Sequence, residues 1–334
     1  RHAERYVTTM VERFGLGGHS HIVKVASNDG YLLQYAKARG VPCLGIEPTA
    51  STAKAAREKG IEVVEEFFGV DLATQLVAQG KSADLIAANN VLAHVPDIND
   101  FVSGFTLLLK PAGVATFEFP HLLRLVQQNQ FDTIYHEHFS YLSLTAVVRI
   151  FERNALSVFD VEELPTHGGS LRVYAQRSDT GQREYSDSVR ELLATEVEAG
   201  VTSADFYAGF QFKANRVKND LLAFLIEAKS AGKTAAAYGA AAKGNTLMNY
   251  AGIRPDLIAF VVDRNPAKQG KYMPGSRIPI VEEAQLSAAK PDYVLVLPWN
   301  LMAEVVAQLD YARAWGCQFV VAVPSISISH GTVA

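Results

Sequence analysis

Ile22-Val23-Lys24-Val25-Ala26-Ser27-Asn28-Asp29-Gly30 is the stretch from which the fold is read. A short apolar run ends in a turn with one glycine. A helical pattern follows at 31–38 and a second apolar run at 43–46. Strand, turn, helix and strand in that order form the unit of a parallel sheet. Upstream, Tyr6, Val7, Met10, Val11 and Phe14 repeat at helical spacing over 3–14, ending at Gly15 and Gly17. Downstream the grammar continues with a helix over 52–59 and strands over 62–64 and 84–88. A helix over 101–109 is closed by Lys110-Pro111-Ala112-Gly113, and a strand follows over 114–119. Short connections between such elements predict a sheet with helices on both faces.

The pattern changes after Tyr141. Ser143 reads as the N-cap of a helix through Arg153, and strands over 156–161 and 170–176 flank a turn at His167-Gly168-Gly169. Arg172 alternates with apolar neighbours and reads as a surface position. Residues 184–230 are helical, with Leu192, Val197, Phe206, Phe210, Leu221 and Phe224 on the apolar side. A second alternation opens at Thr234. Its expected strands are 234–238, 257–262, 293–297 and 319–323, and its expected helices lie near 244–251, 282–288 and 301–315. The expected organisation is α/β with two Rossmann-like domains, at 1–180 and 233–334, joined by a helical connector at 181–232.

Composition narrows the class. With 334 residues, 49% hydrophobic and 20% charged, the chain can bury two cores and is not disordered. A net charge of -4, without a basic run carrying aromatics, gives no reason to expect nucleic acid. Cys43 and Cys317 are far apart in apolar runs, which excludes a disulfide framework and a cysteine-rich metal site and predicts reduced, buried thiols. No apolar segment reaches ~18 residues and no signal peptide opens the chain, so no membrane span and a cytoplasmic location are expected. Composition sets no oligomeric state.

Ligands of open parallel sheets bind at the carboxyl ends of the strands. The turn there offers Ser27, Asn28 and Gly30, with backbone amides at a helix start. It lacks Gly-x-Gly-x-x-Gly, so a pyrophosphate has no obvious place. The second strand ends in Glu47, where an acid can hold two ribose hydroxyls, and the third is followed by Phe67 and Phe68, which could cover an adenine. Asn89 and Asn90 end the fourth. This ordered series predicts S-adenosylmethionine as the ligand. For Phe67 and Phe68 taken singly, core packing is an equal reading.

His94 follows the fourth strand, where the donor's sulfur would lie. After the fifth strand comes Phe131-Asp132-Thr133-Ile134-Tyr135-His136-Glu137-His138-Phe139-Ser140-Tyr141, which crowds imidazoles, phenols and carboxylates into a segment unsuited to a buried strand or a helix. Burying such groups unpaired costs about 1–3 kcal/mol each. The segment is therefore a wetted loop or the wall of a reaction cleft. A neutral imidazole can take a proton near pH 7, a carboxylate can orient it, and a tyrosine hydroxyl can donate to a developing enolate oxygen. In the second half, Gly239 to Gly244 with Lys243 and then Asn245 suit a phosphate, without forming a Walker loop. Asp263, Arg264 and Asn265 end the next strand and could contact a nucleoside.

Several stretches together resemble the S-adenosylmethionine-dependent sugar C-methyltransferases of deoxysugar biosynthesis. They are Ala26–Leu33, Asn89–His94, Tyr135–Tyr141, His167–Arg172 and Tyr238–Asn245, in the family's order and across nearly the whole chain. The resemblance implies a class I methyltransferase domain and a second Rossmann-like domain that binds a nucleotide-linked ketosugar. It implies that His138 is the general base and that His94, Tyr135 and Glu137 line the same pocket. It also implies Ser27, Asn28, Gly30, Glu47, Phe67, Phe68 and Asn89 for the donor, and Asn90, Lys243, Asn245 and Asp263 for the substrate. No resident metal is expected. Family members begin with a small cysteine-rich zinc-binding domain and supply a pocket tyrosine just after it. This sequence opens at Arg1-His2 with neither, so truncation is expected, and zinc enters only with such a domain. The alternatives are an O- or N-methyltransferase on the same scaffold, a nicotinamide oxidoreductase, and a non-catalytic nucleotide-sugar binding protein. The oxidoreductase is disfavoured because neither half carries Gly-x-Gly-x-x-Gly, and the binding protein would leave the His/Glu/Tyr cluster without a task.

Overall fold

Four consecutive buried residues, Ile22–Val25, form the strand around which the first sheet is laid. The computed structural model describes residues 2–329. In chain order its first elements are α1 (His2–Phe14), β1 (Ile22–Val25), α2 (Leu33–Ala38), β2 (Cys43–Ile46), α3 (Ala50–Glu58), β3 (Glu62–Val64), α4 (Val70–Ala78), β4 (Ala83–Asn89), α5 (Ile98–Leu108), β5 (Leu109–Pro120), α6 (Leu122–Gln127), α7 (Leu144–Arg153), β6 (Leu156–Leu164), β7 (Ser170–Arg177) and α8 (Asp187–Ala199). The sheet order is β3-β2-β1-β4-β5-β7-β6. Pairing is parallel from β3 to β5, whereas β7 runs antiparallel to both β5 and β6. The order reverses at β1, which leaves a crevice beside its carboxyl end.

The remaining elements are α9 (Phe210–Ser230), β8 (Ala235–Tyr238), α10 (Ala242–Ala251), β9 (Val261–Val262), β10 (Ile280–Val281), α11 (Ala284–Ala289), β11 (Tyr293–Val296), α12 (Met302–Gln308), β12 (Gln318–Val321) and β13 (Ser327–Ser329). Their sheet order is β10-β9-β8-β11-β12-β13, parallel except for β13. It reverses at β8, the strand that leads into Gly239 and Lys243.

The chain divides into two compact units that are interleaved in sequence. The first holds the chain up to Leu123, Glu137–Pro165 and Gly169–Val201. The second holds Arg124–His136, Thr166–Gly168 and the chain from Thr202 on. The expected connector at 181–232 is therefore not a separate element: α8 belongs to the first unit and α9 to the second. Gly200, left-handed at φ 78°, ends α8 and splits the expected helical span. Residues 1 and 330–334, the ends of the two expected domains, lie outside the described residues.

Local differences have local causes. The fifth strand starts at Leu109, five residues early, because Leu109 pairs with Ala83 before the chain bulges and Val114 pairs with Leu85. The strand expected from 257 shrinks to Val261–Val262 because the amides of Leu257 and Ile258 turn back to the Arg254 carbonyl. Helix α4 was not foreseen. Its amphipathic stripe is Leu72, Ala73 and Leu76, and an Asp100 oxygen accepts from the Val70 amide at its start. Ser143 caps α7 as expected, accepting from the Ala146 amide at 3.1 Å. Both cysteines are free, Cys317 buried and Cys43 partly so.

One buried carboxylate fixes the start of α7. Glu196 on α8, 1% exposed, accepts from the amides of Leu144 and Thr145, from the Thr145 hydroxyl and from His121. Burial alone would push its carboxyl up, but these donors outweigh that and hold it below the ordinary value. Glu196→Ala strands several buried donors, and about 3 kcal/mol should be lost. Urea unfolding followed by a probe in the first unit is expected to show that loss, with Glu196→Gln intermediate.

Candidate active site

The carboxyl end of β1 is held in an unusual backbone shape. Ala26 and Asn28 are both left-handed, at φ 52° and 51°, and Gly30 at 74° completes the turn. A Cβ on Gly30 would lie 2.3 Å from the Ile61 side chain, so only glycine fits. Glu47, 5% exposed at the end of β2, accepts from the amides of Asn28 and Thr49, each at 3.0 Å. Those bonds use part of the carboxylate's accepting capacity and leave room for further donors.

Two polar atoms beside this turn are buried without a partner among the described residues: the Ser27 hydroxyl and the Asn89 side-chain oxygen. Unsatisfied buried groups are rare, and here they lie at the end of β4 and in the turn after β1, where a polar ligand fits. The Ser27 hydroxyl also occupies the space a side chain at Gly45 would need, 2.5 Å from its Cβ position. Asn90, exposed and left-handed at φ 53°, donates its amide to the Glu118 carbonyl.

The two phenylalanines part ways. Phe67 is 84% exposed. The Phe68 ring meets Phe101 and Phe105 edge-on at 5.7 and 5.1 Å, packed against the core.

His94 and His138 come together. Their ring centroids are 4.7 Å apart at 74°, and Tyr141 meets His138 at 5.8 Å. The loop is pinned there because the amides of Phe139 and Ser140 both donate to the Ala93 carbonyl, next to His94. Glu137 is exposed on the same loop. The division between the two units falls between His136 and Glu137, so Tyr135 belongs to the second unit and His138 to the first.

Sequence reasoning missed the polar network behind the donor turn. Arg172, 6% exposed rather than on the surface, donates to Glu118 on β5 at 2.7 Å and to Glu162 on β6 at 2.8 Å. Its guanidinium also lies 5.0 Å from the Tyr6 ring. Glu118, 2% exposed, is approached as well by His2 and Asn89. Burial would push its carboxyl up, but Arg172 and the hydrogen bonds hold it below the ordinary range.

In the second unit, Lys243 and Asn245 lie in the first turn of α10. The Lys243 ammonium lies 4.6 Å over the Trp299 ring and points to the His167 carbonyl and the Asn300 side chain. Burial pulls it below its usual value, while Asp132 holds it up. The Asn245 side-chain oxygen is buried without a partner among the described residues. Asp263 accepts from the Ala240 amide at 2.8 Å and so braces the glycine loop. Gly239, at φ 96°, tolerates no side chain because its Cβ would lie 2.6 Å from Pro298. Asp132, Trp299 and Asn300 were not singled out from the sequence. The Trp299 indole donates to Asp132 at 2.8 Å.

Burial pushes the Asp132 carboxyl up to about 6, against the pull of the Trp299 hydrogen bond and Lys243. The folded state thus keeps a proton that the unfolded chain has already released, and stability falls as pH rises from about 4 to about 6. Denaturant midpoints measured across that window should show this decline in the wild type and a flatter profile in Asp132→Asn.

Sequence comparison adds to this geometry. Residues 1–161 match the family described as a methyltransferase domain, and residues 165–324 match the C-methyltransferase C-terminal domain. The C-methyltransferase NovU of Streptomyces niveus is 34% identical over 324 residues, covering 97% of this chain and 77% of that protein. Among solved structures, magnesium protoporphyrin IX methyltransferase (ChlM) from Synechocystis PCC 6803 with bound SAH is similar at TM-score 0.42 and 18% identity, over 53% of this chain and 82% of its own. An S-adenosylmethionine-dependent methyltransferase from Mesorhizobium loti is similar at TM-score 0.41 and 15% identity, over 52% of this chain and 98% of its own. With a matching methyltransferase domain, a matching C-methyltransferase domain and a relative 34% identical over 97% of this chain, the chain belongs to the S-adenosylmethionine-dependent C-methyltransferases.

Proposed function

We propose that this C-methyltransferase acts on the carbon next to the ketone of a nucleotide-linked 4-keto-deoxysugar, with thymidine diphosphate as the carrier. The observation that carries the reading is the His94–His138 pair, whose ring centroids lie 4.7 Å apart where the loop of His138 is pinned to the Ala93 carbonyl beyond β4. An imidazole in that place can remove a proton from an acidic carbon. The resemblance to sugar C-methyltransferases in the sequence supports a sugar substrate, and the likeness to the C-methyltransferase NovU supports carbon as the acceptor.

In this reading the donor rests on Ser27, Asn28, Gly30, Glu47 and Asn89, whose unpartnered polar atoms fit a ligand rich in donors and acceptors. The adenine would be covered by Phe67; Phe68 shapes the pocket from the core side. S-adenosylmethionine supplies an electrophilic methyl group on a sulfonium. His138 takes the proton from the sugar carbon, and the electron pair left on carbon is delocalised into the ketone as an enolate. His94 keeps the base's ring in place by packing edge-on to it. Tyr135 would donate to the enolate oxygen, and Glu137 would favour the imidazolium once formed. Asn90, Lys243, Asn245 and Asp263 would take the nucleotide-sugar, the ammonium suiting a pyrophosphate.

Two experiments test the reading. With a dTDP-4-ketosugar in deuterated water and no donor, NMR should show enzyme-dependent loss of one C–H signal, slowed about 100-fold or more in His138→Asn. Exchange that persists in the variant moves the base elsewhere, with His94 the next to change. Methyl transfer to oxygen or nitrogen without any exchange favours the O- or N-methyltransferase instead. Separately, calorimetry should find donor affinity about tenfold weaker in Glu47→Ala, as expected for hydrogen bonds to a charged group. An unchanged affinity removes Glu47 from the donor site.

A further inference from the structure

Lys24 sits at the centre of β1 with 0% of its surface exposed. A lysine there is chemically out of place, because an ammonium is strongly hydrated and its burial is costly. Its ammonium does not reach solvent. It turns along its own strand and donates to the Val25 carbonyl at 2.6 Å and the Ala26 carbonyl at 3.2 Å. Those carbonyls belong to the two residues that lead into the left-handed turn at Ala26 and Asn28. A non-glycine residue at positive φ costs about 1 kcal/mol or more and persists only when its surroundings hold it. The Asn28 side chain also donates to the Ala26 carbonyl, at 3.1 Å. Lys24 and Asn28 thus donate to the same oxygen within the bend.

The neighbours of Lys24 on the same sheet face are acidic. Strand register aligns Lys24 with Gly45 on β2 and with Ala87 on β4. Two residues further on, the same face presents Glu47 and Asn89, and β5 presents Glu118 opposite Asn89. The charged and titratable groups facing Lys24 are accordingly Glu47 from β2 and Glu118 from β5. Behind Glu118 stand Arg172 of β7 and His2 of α1. Tyr6 of α1 and Tyr174 of β7 are titratable groups on that side, and Tyr31, just past the turn, feels Glu118 and Asp29. Burial pulls the Lys24 ammonium down to about 7, the carboxylates of Glu118 and Glu47 partly opposing it.

We propose that Lys24 is a positioning residue for the methyl donor: by clamping the Val25 and Ala26 carbonyls it holds the Ala26–Asn28 turn in the shape that receives S-adenosylmethionine. It does not touch the reacting atoms. It acts through the backbone of the turn, and through the turn on the Asn28 amide that Glu47 accepts. The proposal rests on the donor site placed above at Ser27, Asn28 and Glu47. It adds that the shape of the site comes from an amine buried beneath it, hydrogen-bonded to the two carbonyls and pulled down in pKa by its burial. Donor binding should therefore be tightest when Lys24 is protonated and should weaken as pH rises through about 7.

The test compares the full chain with Lys24→Met, which fills the same space without donors or charge. The expected result is a KM for S-adenosylmethionine raised about tenfold or more, with an unchanged KM for the nucleotide-sugar and a melting temperature no lower than that of the wild type. Donor affinity measured by calorimetry from pH 6 to 9 should fall with pH more steeply in the wild type than in the variant. The donor's own amine titrates alike in both and cancels in the comparison. Equal donor KM values and parallel pH profiles overturn the proposal. So does a variant that loses stability and donor and sugar affinity together, since that is a structural role. If the variant does not fold, the wild type labelled with 15N-lysine decides. A Lys24 side-chain signal that titrates near pH 7 and shifts its midpoint on adding S-adenosylmethionine supports the clamp, and a midpoint indifferent to the donor overturns it. Failure here is separable from failure of the donor site itself: in that case Glu47→Ala also leaves affinity unchanged, or the wild type shows no binding at all.

Discussion

A single carboxylate with almost no access to water, that of Glu118, organises the carboxyl edge of the first sheet. Buried charge is tolerated only when it is paired and hydrogen-bonded, and every element near it contributes to that end. The antiparallel strand β7 brings Arg172 in from the far side, β4 offers the Asn89 side chain, and α1 lays His2 and Tyr6 across the face. In the antiparallel register of β5 and β7, Arg172 falls directly beside Glu118. The antiparallel hairpin of β6 and β7 is therefore part of the polar architecture as well as a cap on the sheet. The result is one face of a Rossmann-like sheet that carries Lys24 within β1 and gathers Glu47, Glu118 and Arg172 around it.

The second unit reaches a comparable end with fewer charges. There the loop after β8 is shaped by exclusion, since Gly239 must pass close to Pro298, and by the brace from Asp263. Trp299 serves two neighbours, giving its N–H to Asp132 and its ring face to Lys243. An ammonium held by a ring face keeps its donors available for an anion.

Much of this was readable from residue order. The alternation of strands and helices, the Ser143 cap and the turn at Ser27–Gly30 are encoded locally, by spacing and by residues whose preferences need no partner. Glu47 could be located at the end of β2 because that position depends only on the strand pattern. What escaped notice depends on partners distant in sequence. Arg172 looks like any surface residue until β5 and β6 are set beside it with Glu118 and Glu162. Asp132 gains meaning from Trp299, 167 residues away. Strand β10 has two residues, too few to show any period. Helix α4 carries a short stripe, Leu72, Ala73 and Leu76, directly after the phenylalanines Phe67 and Phe68.

The path of the backbone has a consequence for how such a protein can change. Because Arg124–His136 and Thr166–Gly168 fold with the second unit while the chain around them folds with the first, no single cut yields two complete pieces. Severing after Val201 would strip the second unit of Phe131, which packs in its core, and of Asp132, which holds Trp299. An exchange at one junction would therefore carry pieces of the second unit along with the first.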